Sequence, residues 1–352
     1  LAARATDYGI DRGIGWRIDR DFGAGKSSVR LCGTTMTTPP KIRIGISSCL
    51  LGQEVRYDGG HRHNGYITQT LGEYFEFQPF CPEVAIGLGI PRPPIRLVRS
   101  DTGTRVRGIA DPSLDVTEAL LAYAGTVAPQ LDDVSGYILK KGSPSCGMER
   151  VKVYHENGIP LDTEAGMYAR RILELRPELP VEEEGRLMDP RLRENFVERV
   201  FVYARWQQVI AEGLTPQRLV DFHTRHKFSI MAHDEERYRE LGHLVADAGT
   251  SDVSALGERY IRIVMAAMKT IATPRRHANV LMHLMGFIKD ELDADDKQAL
   301  LGLIDAYRMQ RVPLIVPLTL LRYFLRKDPQ AYVLDQYYLN PHPDELMLRN
   351  HI

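Results

Sequence analysis

Long apolar runs are missing from this chain. No stretch approaches the roughly eighteen uninterrupted apolar residues of a membrane span, and residues 1–30 lack the short apolar core of a secretory signal. Both absences point to a soluble, cytoplasmic protein. An excess of one charge is missing too: 45 Lys and Arg nearly cancel 46 Asp and Glu. That excludes a whole-chain basic field of the kind that holds nucleic acid by counterion release, while leaving a local patch open. Cysteine is scarce, with four in 352 residues, no regular spacing and no Cys-x-x-Cys pair. A disulfide framework is therefore excluded, and a reducing compartment keeps these residues as thiols available for metal or catalysis. Internal repeats and low-complexity segments are absent as well. What is present is ordinary globular composition, 43% hydrophobic and 26% charged, in a chain long enough for two domains.

Residues 1–35 show neither a helical nor a strand period, and Met36 then opens "MTTPPKIRIGISSCLLG", a polar tail running straight into a strand. The expectation is an unstructured upstream extension over 1–35, which removes Cys32 from consideration. From 36 to 185, short apolar runs alternate with amphipathic ones, which predicts an α/β domain with a mostly parallel sheet. Strands are predicted over 42–47, 75–80 and 134–139, a helix over 65–74, and a hairpin turning at 101–103. Asp115, three residues before Glu118, has capping-box spacing for a helix from about residue 116, and "EAGMYARRILEL" predicts another. Beyond the Pro-rich acidic stretch "RPELPVEEEGRLMDP", apolar residues recur at i, i+3, i+4, i+7, and 186–352 reads as an all-helical domain. Its helices are predicted over 191–212, 216–230, 235–248, 252–272, 275–291, 294–310 and 314–327.

Three cysteines occupy one topological position. Cys49 follows "IRIGIS", Cys81 follows "FEFQPF" and Cys146 sits just past "GYILKK", each at the carboxyl end of a predicted strand. In an open parallel sheet such ends converge on a ligand. A lone cysteine is by default a small buried hydrophobe; three at equivalent strand ends, each beside Gly, Pro or Ser, predict a shared metal or cluster site. Zinc with His61 or His63 as a fourth ligand satisfies the donor types. So does an iron-sulfur cluster, which three thiolates hold with one iron left open to a soft ligand such as sulfur. His61 and His63 read equally well as a polar turn. Glu83, two residues after Cys81, is a carboxylate placed for acid-base work or a solvated loop charge. Ser143 and Ser145 flank Pro144 before Cys146 and serve as hydrogen-bond donors or turn formers. Lys140 and Lys141 offset the charge of thiolate-bound iron. Arg92, stiffened by Pro91, Pro93 and Pro94, is a candidate substrate contact, as are Arg56 and Asp58, which also suit a structural ion pair.

"SSCLLGQEVRYDGGHRHN", "CPEVAIGLGIPRPP" and "LKKGSPSCG", in this order, resemble the family first catalogued as domain of unknown function 523, which includes the thiouracil desulfurases; the match spans about residues 41–185. The resemblance implies a 4Fe-4S cluster held by Cys49, Cys81 and Cys146, whose open iron takes the thiocarbonyl sulfur of a thiolated pyrimidine while water replaces it at carbon without net redox change. It implies Glu83 as the proton-transfer carboxylate and Ser143 or Ser145 as the polar partner of the substrate. The chain departs from the family pattern at Ile86, where a second glycine is common, and at Arg96, where an acidic residue is usual; both bear on substrate choice. The helical half is similar to domain of unknown function 1722, fused to the first in YbgA-like bacterial proteins, on "FHTRHKFSIMAHDEERYRELG", "HANVLMHLMGFIKDEL", "RVPLIVPLTLLRYF" and "YYLNPHPDELMLRN". Met282 stands where that family tends to have Gln. Its His226, Lys227, His233, His277 and His283 suit either a site or ordinary polar-face and core positions. The leading expectation is an iron-sulfur desulfurase acting on a small sulfur-containing heterocycle, with free base, nucleoside and thiolated RNA all open. The alternatives are a sensing, partner-binding or RNA-binding module with a structural cluster, and a zinc hydrolase with three Cys ligands.

Overall fold

The computed structural model describes residues 41–101, 103–327 and 331–351. The expected upstream extension over 1–35, with Cys32, lies outside the described residues. Two four-stranded sheets form the first half. One is built from β1 (Ile42–Ser47), β2 (Phe75–Phe80), β5 (Tyr137–Leu139) and β8 (Val181–Glu183) in the order β2-β1-β5-β8, and all its pairings are parallel. The other, in the order β4-β3-β6-β7, is mixed. The expected hairpin of β3 (Ile95–Ser100) and β4 (Gly103–Gly108) pairs antiparallel, β3 runs parallel to β6 (Val151–Tyr154), and β6 turns back on β7 (Pro160–Glu164).

In the parallel sheet the register is direct. Ile42 faces Phe75 and Ser47 faces Phe80, while Gly45 faces Tyr137 and Ile46 faces Ile138. The carboxyl ends of β1, β2 and β5 therefore lie side by side on one edge. Helices α1 (Pro82–Ala85), α2 (Thr117–Val127) and α3 (Met167–Leu175) complete this half.

Not every expected element forms. The segment predicted as a helix over 65–74 is instead a π turn, Tyr66–Thr70, followed by a 3-10 turn, Leu71–Glu73. Only Ile67 and Leu71 are buried there, too narrow an apolar stripe to hold a regular helix against the core. Asp115 does accept from Thr117 N at 3.0 Å. Glu118, however, turns to Arg105 at 2.9 Å instead of closing the capping box, so α2 starts at Thr117.

The second half is helical: α4 (Pro190–Ala211), α5 (Pro216–His233), α6 (Glu235–Ala246), α7 (Val253–Met268), α8 (Pro274–Met285), α9 (Ala294–Arg308), α10 (Ile315–Lys327) and α11 (Ala331–Leu334). The starts are chemically marked. Asp189, Thr215, Asp234, Asp252, Thr273 and Asp293 each accept backbone N–H bonds as N-caps, and Pro190, Pro216 and Pro274 occupy first-turn positions whose missing N–H costs nothing. Among the described residues no helix is long and apolar enough to cross a membrane.

The hydrophobic core is continuous across residue 185. Phe196, Val197 and Val200 of α4 pack with Ile44, Ile46, Leu50 and Ile138 of the parallel sheet, and Leu346 and Leu348 near the chain end join the same cluster. The other side of α4, through Val202, Tyr203 and Trp206, belongs to the cluster containing Tyr137, Leu139, Met167 and Tyr168.

Candidate active site

Each of the three thiols is delivered by a break at a strand end. After Ser47 the chain enters a 3-10 turn, Ser48–Leu51, closed by Gly52 at φ 91°, and Cys49 lies within it. That turn is fixed from outside, because Arg62 N donates to Cys49 O at 2.8 Å and Asn64 N to Leu50 O at 3.0 Å. Cys81 follows β2 as the cap residue of the single turn α1, whose first residue is Pro82, and its thiol lies 3.9 Å from Val55 O.

Cys146 sits in the loop after β5, and that loop is held by the start of α3. Gly166 N donates to Gly147 O at 2.8 Å, Met167 N to Pro144 O at 3.0 Å and Ala169 N to Ser145 O at 3.0 Å. The otherwise unpaired first N–H groups of the helix thus become anchors for the cysteine loop. The approach is close: a Cβ on Gly166 would stand 2.6 Å from Ser145 O and 2.8 Å from Ser143 O.

These three ends open on one cavity of about 390 Å³, lined by all three cysteines together with Ser47, Arg56, Tyr57, Arg62, Phe80, Glu83, Arg92, Lys140, Lys141 and Ser143. This volume suits a small ligand.

Glu83 is the organising carboxylate. Its Oε2 accepts two bonds from Arg92, from Nε at 3.0 Å and Nη2 at 2.6 Å. Its Oε1 accepts from Ser145 Oγ at 2.9 Å and Ser143 Oγ at 3.3 Å. Arg92 also donates to Val55 O and Gly89 O, each at 3.0 Å, and the ion pair is enclosed, with side-chain exposures of 4% for Arg92 and 13% for Glu83. Both serines therefore address the carboxylate, but differently. Ser143 lines the cavity, whereas Ser145 is fully buried behind it. Ser143 Oγ additionally accepts from the N–H groups of Ser145 and Cys146, at 3.2 and 3.1 Å, and shapes the turn.

Burial pushes all three thiols up. At Cys49 the charges of Arg56 and Lys140 oppose it; at Cys81 hydrogen bonding from the backbone of Val84 and Glu83, with the charge of Arg92, does so. Cys146 is the most enclosed and is raised furthest, by burial and then by Glu83 and Cys81, with a hydrogen bond from Ser47 acting the other way. Loading such a site with metal releases protons, because the ligands bind as thiolates.

Among the described residues no three His, Cys, Asp or Glu side chains close into a group for a single metal ion. His61 and His63, the fourth zinc ligand in one expectation, do not line the cavity. His63 Nε2 pairs with Thr68 Oγ at 3.0 Å, and His61 Nδ1 accepts from His63 N at 3.2 Å. Three soft donors spread around a cavity, with N–H, O–H and cationic groups behind them, fit a polynuclear thiolate-ligated cluster better than a lone zinc ion.

Of the other sequence-based candidates, Arg56 and Arg92 line the cavity, but Asp58 does not. Asp58 accepts from Gly60 N at 3.1 Å and stands 3.6 Å from Arg56, an ion pair within its own turn. In the helical half, His226, Lys227, His233, His277 and His283 do not gather into one site. His283 is exposed, Lys227 lies over the rings of Phe228 and Tyr332, and His226 stacks on Phe222 at 3.9 Å. His233 and His277 border a void of about 50 Å³ beside Glu194, Glu198 and Arg349. Ser47, Tyr57 and Arg62 escaped sequence reasoning, since none carries a spacing signal.

Comparison with known proteins gives two matches along the chain. Residues 44–184 match the family described as 2-thiouracil desulfurase, and residues 227–343 match a family described as protein of unknown function, DUF1722. The uncharacterized protein YbgA of Escherichia coli (strain K12) is 33% identical over 153 residues, which is 43% of this chain and 90% of that protein. The uncharacterized protein YbbK of Bacillus subtilis (strain 168) is 32% identical over 108 residues, 29% of this chain and 71% of its own length. Among solved structures, the 4Fe-4S-dependent thiouracil desulfidase TudS is 31% identical and matches 42% of this chain and 94% of that one, at a TM-score of 0.32.

Proposed function

The chain belongs to the 2-thiouracil desulfurase family through residues 44–184, fused to a DUF1722 domain over 227–343, and from that premise we propose that it replaces the thiocarbonyl sulfur of a thiolated pyrimidine or related heterocycle by oxygen. The reaction balances as C=S plus water giving C=O plus hydrogen sulfide, with no electron donor or acceptor. The observation that carries the reading is the convergence of Cys49, Cys81 and Cys146, from three adjacent strand ends, on one cavity that also holds Glu83. In this reading the three thiolates hold a 4Fe-4S cluster, and we place the division between the two domains at about residue 185. When bound, the cluster supplies an open, soft, Lewis-acidic iron for the substrate sulfur.

The protein's own groups manage protons and charge. Glu83 Oε2 is committed to Arg92, which leaves Oε1, with its two serine hydroxyls, as the atom that takes and returns a proton. Ser143 is the serine that reaches the cavity, so it passes the proton between the attacking water and Oε1; Ser145 holds Oε1 in place from behind. Arg56, Arg62, Lys140 and Lys141 on the cavity wall offset the negative charge that three thiolates bring.

Anaerobic reconstitution followed by incubation with a panel of thiolated pyrimidines, measuring sulfide and the oxygenated product, tests this. The expected protein is brown, holds about four irons per chain, and releases sulfide and product in equal amounts. Glu83→Ala keeps its iron and loses turnover. A colourless protein that takes up zinc alone ends the proposal.

A further inference from the structure

We propose that Glu183 and Glu184, consecutive carboxylates at the end of β8, are positioning residues of the candidate site: they fasten the two ends of the loop 140–148 and so hold Cys146 and Ser143 in register with Cys49 and Cys81. The inference rests on the desulfurase reading above.

Glu184 takes the near end of the loop. Its Oε2 accepts from Lys141 N at 2.7 Å, and its Oε1 pairs with the Lys140 ammonium, which also donates to Lys141 O at 3.0 Å. Glu183 takes the far end, where its Oε1 accepts from Met148 N at 2.8 Å. Both carboxylates are shielded from water: Glu183 is 2% exposed and the Glu184 side chain 13%. Their placement follows from strand pairing. Leu139, the last residue of β5, lies opposite Glu183, and Glu184 N donates to Leu139 O at 3.3 Å, so the chain beyond β5 starts beside the end of β8.

Burying two adjacent carboxylates is costly unless hydrogen bonds and charges compensate them, and here the compensation comes from the cysteine loop. Inside the loop, Ser143 serves its own turn: Oγ accepts from Ser145 N and Cys146 N, and its carbonyl accepts from Gly147 N at 2.9 Å. Lys141 and Met148 flank that turn, and their N–H groups go to the carboxylates. The start of α3 meanwhile takes the loop's carbonyls at Pro144, Ser145 and Gly147. Helix and strand thus hold opposite polarities of one main chain, and the ionised acceptors make the stronger bonds. β8 then continues through the turn Arg186–Met188 into α4, and Arg186 on the way bridges Glu182 at 2.6 Å and Glu149 at 2.7 Å. The grip on the cysteine loop is therefore built into the segment that leads into the helices.

The test compares wild type, Glu184→Ala and Glu184→Gln as apo-proteins matched by circular dichroism. Alkylation by iodoacetamide, followed peptide by peptide, gives separate rates for Cys81 and Cys146. In Glu184→Ala the ratio of the Cys146 rate to the Cys81 rate should rise about 10-fold, the effect of losing one charge-assisted bond on local opening. Glu184→Gln keeps an oxygen for Lys141 N and should stay within about 3-fold of wild type. General loosening raises both rates together and leaves the ratio unchanged. After anaerobic reconstitution, Glu184→Ala should lose iron to a chelator about 10-fold faster than wild type, with Glu184→Gln close to wild type. Glu183 is read without substitution: in wild-type apo-protein the Lys141 and Met148 amides should exchange hydrogen about 100-fold more slowly than in an unfolded peptide. An unchanged ratio in Glu184→Ala, a Glu184→Gln protein that behaves like Glu184→Ala, or unprotected Lys141 and Met148 amides overturns the assignment. Wild type that takes up no iron-sulfur cluster overturns instead the desulfurase reading, and the apo-protein measurements tell the two failures apart.

Discussion

Removing Arg92 is the most incisive perturbation of the site, because the guanidinium holds Glu83 Oε2 through two bonds and ties down Val55 O and Gly89 O with two more. The pair is enclosed, so neither charge is well compensated by water. Breaking one side of such a buried pair costs about 3–5 kcal/mol, most of it the penalty of the abandoned charge. Arg92→Met should therefore destabilise the protein by that amount. Glu83→Gln keeps an oxygen for the serines but strands Arg92 on two carbonyls, and should cost about 2–3 kcal/mol. In Arg92→Met/Glu83→Gln neither residue leaves an unpaired charge. The double variant should thus be more stable than the sum of the singles predicts, by about 2–3 kcal/mol, the upper part of the range for directly bonded neighbours. Urea unfolding of the four apo-proteins measures this, followed by both circular dichroism and tryptophan fluorescence, since a chain of this size must be shown to unfold in one step. An exposed ion pair such as Arg43–Glu76, 4.0 Å apart, gives coupling of only about 0.2–1 kcal/mol. A measured coupling below about 0.5 kcal/mol would therefore refute the view of Arg92 as the buried counter-ion of Glu83.

Acid should destabilise the helical half. Burial holds His277 at about 3 and His342 at about 4, below the ordinary 6.5, so the unfolded chain binds their protons first and stability falls as pH drops below 6.5. Between pH 6.5 and 5 each loses about 2 kcal/mol at 1.36 kcal/mol per unit. Glu194, which burial pushes up to about 7, acts oppositely and gains stability over the same interval by up to about 2 kcal/mol, but His223, held at about 4, and His226, held well below its ordinary value, add to the loss, so the balance is a net destabilisation. A urea midpoint that rises or stays level from pH 6.5 to 5 contradicts this. Gly166→Ala places a methyl group 2.6 Å from Ser145 O, which forces the cysteine loop off the start of α3; the expected outcome is iron content well below wild type with the helical half intact, and full iron loading counts against the anchoring role. Phe196→Ala empties a fully buried site shared by α4 and the parallel sheet and should cost about 3–5 kcal/mol. Thermal unfolding should show that loss in signals from both halves; a loss confined to the helices contradicts the shared core.

What was legible in the sequence follows from how local its cause is. Helix starts in the second half were readable because Asp-Pro and Thr-Pro pairs at 189–190, 215–216 and 273–274 carry their own capping chemistry. Cys49, Cys81 and Cys146 were readable because strand ends converge in a parallel sheet whatever the details. β8 was not: Val181–Glu183 buries two carboxylates, which no strand pattern anticipates. They are tolerated because Arg186 Nε meets Glu182 at 2.6 Å and Met148 N meets Glu183 at 2.8 Å, partners supplied only by the fold. The Glu83–Arg92 pair was likewise hidden, since "PRPPI" shows a stiffened arginine but not what it faces. Ser47 looked like any serine at the end of a strand. Its bond from Lys140 N, at 3.0 Å, joins residues far apart in sequence and forms only after β1 and β5 have paired.

α4 lies between the two family-matched stretches, 44–184 and 227–343, and packs against the first. Its inner face supplies Phe196, Val197 and Val200 to the back of the sheet whose strand ends carry the cysteines. Gly136, just before β5, is small for that reason: a Cβ there would stand 2.7 Å from Val200 Cγ2 and 3.4 Å from the Phe196 ring. Ser135 reinforces the join, donating to Gln207 Oε1 of α4 at 2.6 Å, while Gln207 Nε2 returns bonds to Asp132 O and Val134 O. Leu346 and Leu348 extend the same apolar cluster, and Arg349 fixes that segment by donating to Glu194 of α4 at 3.2 Å and to Tyr338 O at 2.6 Å. A sheet whose buried face is finished by residues beyond 185 loses apolar burial when those residues are removed, and each large side chain withdrawn exposes surface worth about 1.5–3 kcal/mol. Three α4 side chains and two leucines exceed the net stability of many domains. Residues 41–185 expressed alone should therefore be less stable than the same residues in the full chain. A fragment whose urea midpoint matches the full chain would show that the contact across α4 is incidental to the sheet that presents the thiols.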